Sequence, residues 1–178
     1  MAQQLLIAEL EHLPYEDERY WNDAWDGYPL ARRRLLAEVV RTRLENPVFL
    51  TGDWHSTFVN DLKLDFKDPH ARTVATEFVT PAITTGGDST PYGPYYAPMV
   101  PYNPHIKYYE GDRRGYFKVT ITPELMELDL RFDQRRGSGR DRIHRAVVRR
   151  RERRAGRPAR LIASRACAGP CGDGLVSP

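Results

Sequence analysis

Residues 47–64 read PVFLTGDWHSTFVNDLKL, and this strand–turn–strand passage decides the fold. Val48 to Thr51 is a short unbroken apolar run, the pattern of a buried strand. It stops at Gly52-Asp53-Trp54-His55. Beyond the turn the sequence alternates from Phe58 to Phe66, with Leu62 and Leu64 on the same side, which predicts a second strand with one buried face. Upstream, Pro29 opens the helical stretch PLARRRLLAEVVRTRLE (29–45), with Leu35, Leu36, Val39, Val40 and Leu44 as its apolar stripe; proline suits a first helical position. Asn46-Pro47 ends it, because a residue before proline resists the α conformation.

Working outward, TVATEFVTPAI (73–83) reads as a third strand, rich in β-branched residues. GYFKVTIT (115–122) and ELMELDLRF (124–132) both alternate and are split by Pro123, which predicts two terminal antiparallel strands. Residues 84–105 carry Gly86-Gly87, five prolines and four tyrosines, a density that predicts a long loop without regular elements. Residues 16–28, EDERYWNDAWDGY, read as irregular loop, and 3–10, QQLLIAEL, fit a strand or a helical turn equally. The order of helix then strands indicates part of an α/β layer structure.

Charge divides the 178 residues at one place. Lys plus Arg number 27 and Asp plus Glu 24, a net +3. Residues 1–133 hold 14 basic and 21 acidic side chains, whereas 134–178 hold 13 and 3. All 3 Trp, 10 Tyr and 6 Phe precede residue 134. A basic segment without aromatic side chains has little apolar area to bury, so 134–178 is expected to be a disordered tail, and 1–133 the folded unit. Cys167 and Cys171 fall in that tail without a nearby His or Cys partner and read as an incidental pair. No apolar run approaches the roughly 18 residues of a membrane span. The opening MAQQLLIAELEH lacks the form of a signal peptide.

Three clusters bear chemistry. Asp53 and His55, two apart after a glycine at a strand end, present an oxygen and an imidazole nitrogen from one tight turn, and open α/β sheets place ligands there. Alone, such a pair more commonly caps a turn. Asn22 and Asp23 sit between Trp21 and Trp25, with Asp26 directly after, and offer an aromatic-walled oxygen site; the competing reading is a loop whose indoles pack on the core. Asn103-Pro104-His105 ends the Pro/Tyr segment. Glu77, inside an apolar strand, needs an Arg or a metal as partner. Neither a Gly-x-Ser-x-Gly elbow nor a phosphate-cradling glycine loop occurs. An Arg tail without interleaved aromatics predicts only nonspecific adhesion to anionic polymers, so no specific nucleic-acid partner is expected.

Four motifs bind these clusters together. NDAWDGYPLARRRLL, NPVFLTGDWHSTFVNDLK, VATEFVTPAITTGG and NPHIKYYEGDRRGYFKVTITPE, in this order, resemble the C-terminal part of the PhoD-like alkaline phosphatases, of the calcineurin-like metallophosphoesterase superfamily. The resemblance covers about residues 1–133. It implies part of a four-layer α/β/β/α sandwich and an iron and calcium centre. It also implies a phosphate monoester or diester substrate attacked by a metal-activated water. Carried onto this sequence, it makes Asp53 and His55 the leading metal ligands, with Asp26, Asp23 and Asn22 behind them, and His105 a catalytic residue. Family members are longer and are often exported by the twin-arginine route. The chain is therefore expected to be a truncated, monomeric piece, inactive alone, whose compartment the sequence leaves open. The alternative is a non-enzymatic fragment that adheres to anionic polymers through its tail.

Overall fold

The computed structural model describes residues 1–13, 20–84, 92–123, 125–132, 143–149 and 162–163. Its first sheet has five strands: β1 (Ala2–Gln3), β2 (Val48–Thr51), β3 (Thr57–Lys63), β4 (Thr73–Val79) and β5 (Ile106–Glu110). Their spatial order is β1-β2-β4-β3-β5. β1, β2 and β4 run parallel, whereas β3 is antiparallel to both β4 and β5. Thr51 pairs with Val79 and with Gln3, so the turn after β2 lies at the carboxyl edge of the parallel strands.

Helix α1 (Pro29–Arg41) begins with its proline in the first turn. Arg32, Leu36 and Val39 form its buried face. The helix ends four residues before the position that the sequence predicts. Thr42 turns its hydroxyl back on the Glu38 carbonyl at 2.7 Å, a local bond that competes with helix continuation. Arg43 and Asn46 then take left-handed φ values of 53° and 51°. Leu44, expected in the apolar stripe, is consequently exposed.

Phe49, Phe58, Leu62, Ala75 and Val79 share one buried cluster with Leu36 and Val39 of α1. On the opposite face Val59 and Phe78 cluster with Leu128, Leu130 and Phe132 of a second sheet, with Leu50, Tyr108, Phe117 and Val119 packed against them. Helix, sheet and sheet are thus layered. β3 is covered on both faces instead of the predicted one, and Leu64 lies beyond its end.

The second sheet contains β6 (Gly115–Ile121) and β7 (Leu125–Phe132), close to the predicted pair. It continues through β8 (Ile143–Arg149) and β9 (Ile162–Ala163). These two strands lie within the segment expected to be disordered. IHRAVVR contains three β-branched residues, and it pairs antiparallel with β7 over seven positions. The rest of that segment, with Cys167 and Cys171, lies outside the described residues.

Two further differences concern the Pro/Tyr segment. A short helix α2 (Tyr92–Tyr96) and a 3-10 stretch (Ala97–Tyr102) form where a loop was expected. Proline is compatible with the first turn of such short helices. Strand β5, IKYYE, had no separate signal, being too short to show a period. Gly86 and Gly87 lie outside the described residues.

Residues 4–12 settle the ambiguity of the N-terminal stretch. After β1 they form no regular element. Leu6, Ile7, Ala8, Leu10, Glu11 and His12 are nevertheless all buried.

Phe78 is fully buried between the sheets. Phe78→Ala is expected to cost about 3–5 kcal/mol in urea unfolding, whereas Tyr116→Ala, at a half-exposed β6 position, should stay within about 0.5 kcal/mol. Equal losses would show that Phe78 does not seat the second sheet.

Candidate functional site

Gly52 to Ser56 form the turn between β2 and β3. The Trp54 amide donates to the Gly52 carbonyl at 2.8 Å, and the Gly52 amide to Gln4 at 3.3 Å. Asp53 and His55 both hold left-handed backbone conformations, with φ of 63° and 58°. For residues with a Cβ this costs about 1–3 kcal/mol each and persists only where the surroundings enforce it. Such strain is characteristic of functional turns. The Asp53 carboxylate is exposed and accepts a 3.3 Å hydrogen bond from Gln4 Nε2. Trp54 packs beside Tyr96, with ring centroids 6.1 Å apart.

The foot of the turn is anchored inside the sheet. Thr51 Oγ1 donates to Glu77 Oε1 at 2.7 Å and accepts from Gln3 Nε2 at 2.6 Å. Glu77 is fully buried and takes three more donors: the Ile7 amide at 2.9 Å, the Ala8 amide at 3.0 Å and Asn60 Nδ2 at 3.1 Å. Among the described residues no Arg meets it; four neutral donors fill the role of partner. Burial pushes its pKa up, and the hydrogen bonds from Ile7, Ala8, Thr51 and Asn60 pull it back.

The other sequence candidates lie along residues 4–12. Asp26 Oδ1 pairs with the buried guanidinium of Arg32, which also meets Glu9 Oε2 at 2.8 Å. Asp26 Oδ2 accepts the Leu10 amide at 3.0 Å. Both oxygens are thus engaged with Arg32 and Leu10. Burial raises the Asp26 pKa, opposed by the Arg32 charge and the Leu10 amide. Asn22 and Asp23 are exposed on the preceding turn. That turn requires Gly27, since a Cβ there would sit 2.1 Å from the Asn22 carbonyl oxygen.

His105 is only 2% exposed. Its Nε2 donates to the Glu9 carbonyl at 2.6 Å, which leaves Nδ1 as a buried acceptor without a partner among the described residues. Asn103 donates to the Glu11 carbonyl and accepts the Glu11 amide, both at 2.9 Å. Burial pushes the His105 pKa down to about 4; the Glu9 carbonyl opposes this, and the charges of Lys63, Lys107 and Arg32 reinforce it.

The structure therefore places Asp53 and His55 on one turn, and Asp26 and His105 against residues 9–10. Among the described residues no group of three or more His, Cys, Asp or Glu side chains is placed to hold a metal ion. A carboxylate and an imidazole fit the donor types of hard and borderline ions. Two side chains fall short of the four or more donors those ions take, so the turn fits as part of a centre only. Sequence reasoning missed Gln3, Gln4 and Thr51, which support the turn. It also missed Arg32, whose spacing from Leu36 and Val39 puts it on the buried stripe.

An Asp and a His in left-handed conformations thus share one turn at the carboxyl edge of parallel strands, and comparison with known proteins gives the family. Residues 1–130 match the family described as PhoD-like phosphatase, and the chain belongs to that family. It is 34% identical over 131 residues to alkaline phosphatase D of Bacillus subtilis (strain 168), an alignment covering 74% of this chain and 22% of that protein. A solved structure titled "Structure of PhoD" superimposes with a TM-score of 0.74 at 29% identity, covering 94% of this chain and 32% of that one. The chain therefore spans about a fifth to a third of these relatives. No helix among the described residues is long and apolar enough to cross a membrane.

Two measurements check the geometry along residues 9–11. Arg32→Ala strands the buried Asp26 carboxylate and is expected to cost about 3–5 kcal/mol, read by denaturant unfolding; a loss under about 1 kcal/mol would contradict the pairing. The second concerns pH. Below pH 6.5 the unfolded chain protonates His105 while the folded chain refuses the proton down to about pH 4. The stability that His105 contributes above pH 6.5 is therefore lost as pH falls through that window, by about 3 kcal/mol at roughly 1.4 kcal/mol per unit. Glu77, with its raised pKa, acts in the opposite direction in both proteins. The stability difference between wild type and His105→Gln should accordingly shrink from pH 7 to pH 4, and a constant difference would refute the assignment.

Proposed function

We propose that the turn from Gly52 to Ser56 is this chain's contribution to the metal centre of a phosphatase acting on phosphate monoesters or diesters. The observation that carries this is the pair Asp53 and His55, both in left-handed conformations at the carboxyl edge of the parallel strands. Iron and calcium are the ions implied by the sequence resemblance. A metal held there supplies positive charge for phosphate oxygens and lowers the pKa of a coordinated water. Asp53 would present its carboxylate, and His55 its imidazole, from a backbone already fixed in the binding conformation. Asp26 enters this reading by holding Leu10 of the strap formed by residues 4–12, while Asp23 and Asn22, exposed on the turn before it, stand behind Asp53 and His55 as metal-ligand candidates.

His105 is assigned a positioning role in the same reading. A ring 2% exposed does not reach substrate, and with a pKa near 4 it is neutral at the pH where phosphatases of this type act. It holds Glu9, and through it residues 4–12. The helix–sheet–sheet layering supplies three layers of the proposed α/β/β/α sandwich. The phosphatase part is proposed to end near residue 133, with one chain per molecule and no specific nucleic-acid partner.

Titration of Mn²⁺ into the 178-residue chain should show one weak site. Asp53→Ala and His55→Ala should each weaken it about tenfold or more, with unchanged thermal unfolding. Hydrolysis of p-nitrophenyl phosphate by this chain alone should stay at background. Binding that survives both substitutions would refute the assignment of the turn, and strong metal-dependent turnover by the chain alone would refute the partial centre.

A further inference from the structure

Thr51 and Glu77 lie beneath the turn and touch neither substrate nor metal in the reading above. Their arrangement is nonetheless specific. The Thr51 hydroxyl spends its one proton on Glu77 Oε1 and accepts from Gln3 Nε2. Its carbonyl accepts the Thr80 amide at 2.9 Å. The next residue, Gly52, donates to the Gln4 carbonyl, and Gln4 Nε2 reaches Asp53 Oδ2. Thr51 is thereby held on three sides, two residues before the first left-handed position.

A core without this carboxylate would be simpler. Glu77 nevertheless does more there than satisfy the buried amides of Ile7 and Ala8, since two further donors come from the strands on either side of the turn. Its four donors come from three places: β2 through Thr51, β3 through Asn60, and the crossing segment through Ile7 and Ala8. They fix where β2 ends relative to residues 3–8, and hence where Gly52 leaves the sheet. Strained φ values persist when the surroundings over-determine them, and this relay is the over-determination on the β2 side.

We propose that Thr51 and Glu77 are positioning residues for Asp53 and His55, acting through the hydroxyl that joins Gln3 to the buried carboxylate. The metal-binding half of the proposal rests on the function assigned to the turn; the geometric half does not. Thr51→Val keeps the β-branched shape and removes the hydroxyl, and Thr51→Ser restores it.

The test uses the full chain and two readouts. The first is the intraresidue amide–Hα contact of Asp53 and His55 in NMR spectra, which is strong only for left-handed residues and needs no metal. The second is broadening of the same amides by added Mn²⁺. In Thr51→Val both residues should lose the left-handed signature and Mn²⁺ affinity should fall ten- to a hundredfold. The signals of Leu128 and Leu130 should be unchanged, and Thr51→Ser should behave as wild type. Should the valine variant not fold, Gln3→Met cuts the other bond to Thr51, leaves Glu77 paired, and is read the same way. A folded variant with wild-type turn signatures would overturn the proposal. If wild type shows no Mn²⁺ broadening at residues 53 and 55, the metal assignment fails, while the turn signatures still decide the positioning role.

Discussion

The structure depends on satisfying the backbone of residues 6–12, which crosses the sheet in burial without belonging to it. Buried amides and carbonyls must be paired, and here no strand ladder is available to pair them. Side chains do it instead. Glu77 takes the amides of Ile7 and Ala8, Asp26 takes Leu10, and Asn103 takes both groups of Glu11. His105 donates to Glu9, and Arg32 reaches the Ile7 carbonyl at 3.4 Å. The polar residues that stand out in an apolar context thus converge on one strap. Their polar groups are costly to bury, and the hydrogen bonds that they make to the strap offset that cost.

Much of the fold was legible because hydrophobic period maps directly onto burial. The apolar run Val48 to Thr51 and the alternation in β6 and β7 became strands close to their predicted bounds. Much of what failed depends on partners remote in sequence. Alternation in Phe58 to Phe66 could not reveal that a second sheet covers Val59. β5 is five residues long and draws its stability from pairing with β3. IHRAVVR was judged by the charge and missing aromatics of its segment, whereas strand pairing with β7 is a local matter of backbone partners.

For the site, the sequence showed the residue types and the structure showed their engagements. Asp53 and His55 were readable from a glycine turn at a strand end. Asp26 and His105 were equally prominent in the sequence, yet each is turned toward the strap. A motif records that a polar residue matters, and a carboxylate holding a backbone amide looks the same in sequence as one awaiting a ligand. Arg32 is the converse case. One of three consecutive arginines, it reads as solvated charge until its helical phase with Leu36 and Val39 is considered.

The strap also sets an order of events in biosynthesis. Glu9 must wait for His105, 96 positions later, and Glu11 for Asn103, 92 positions later. At about 5–20 residues per second, translation keeps Leu6, Ile7 and Leu10 without their final cover for roughly 5–20 seconds. During that interval the most apolar part of the segment is available to chaperones or to neighbouring nascent chains. Docking of the strap is therefore a late, long-range closure, and Leu6, Ile7 and Leu10 stay open to association until it occurs.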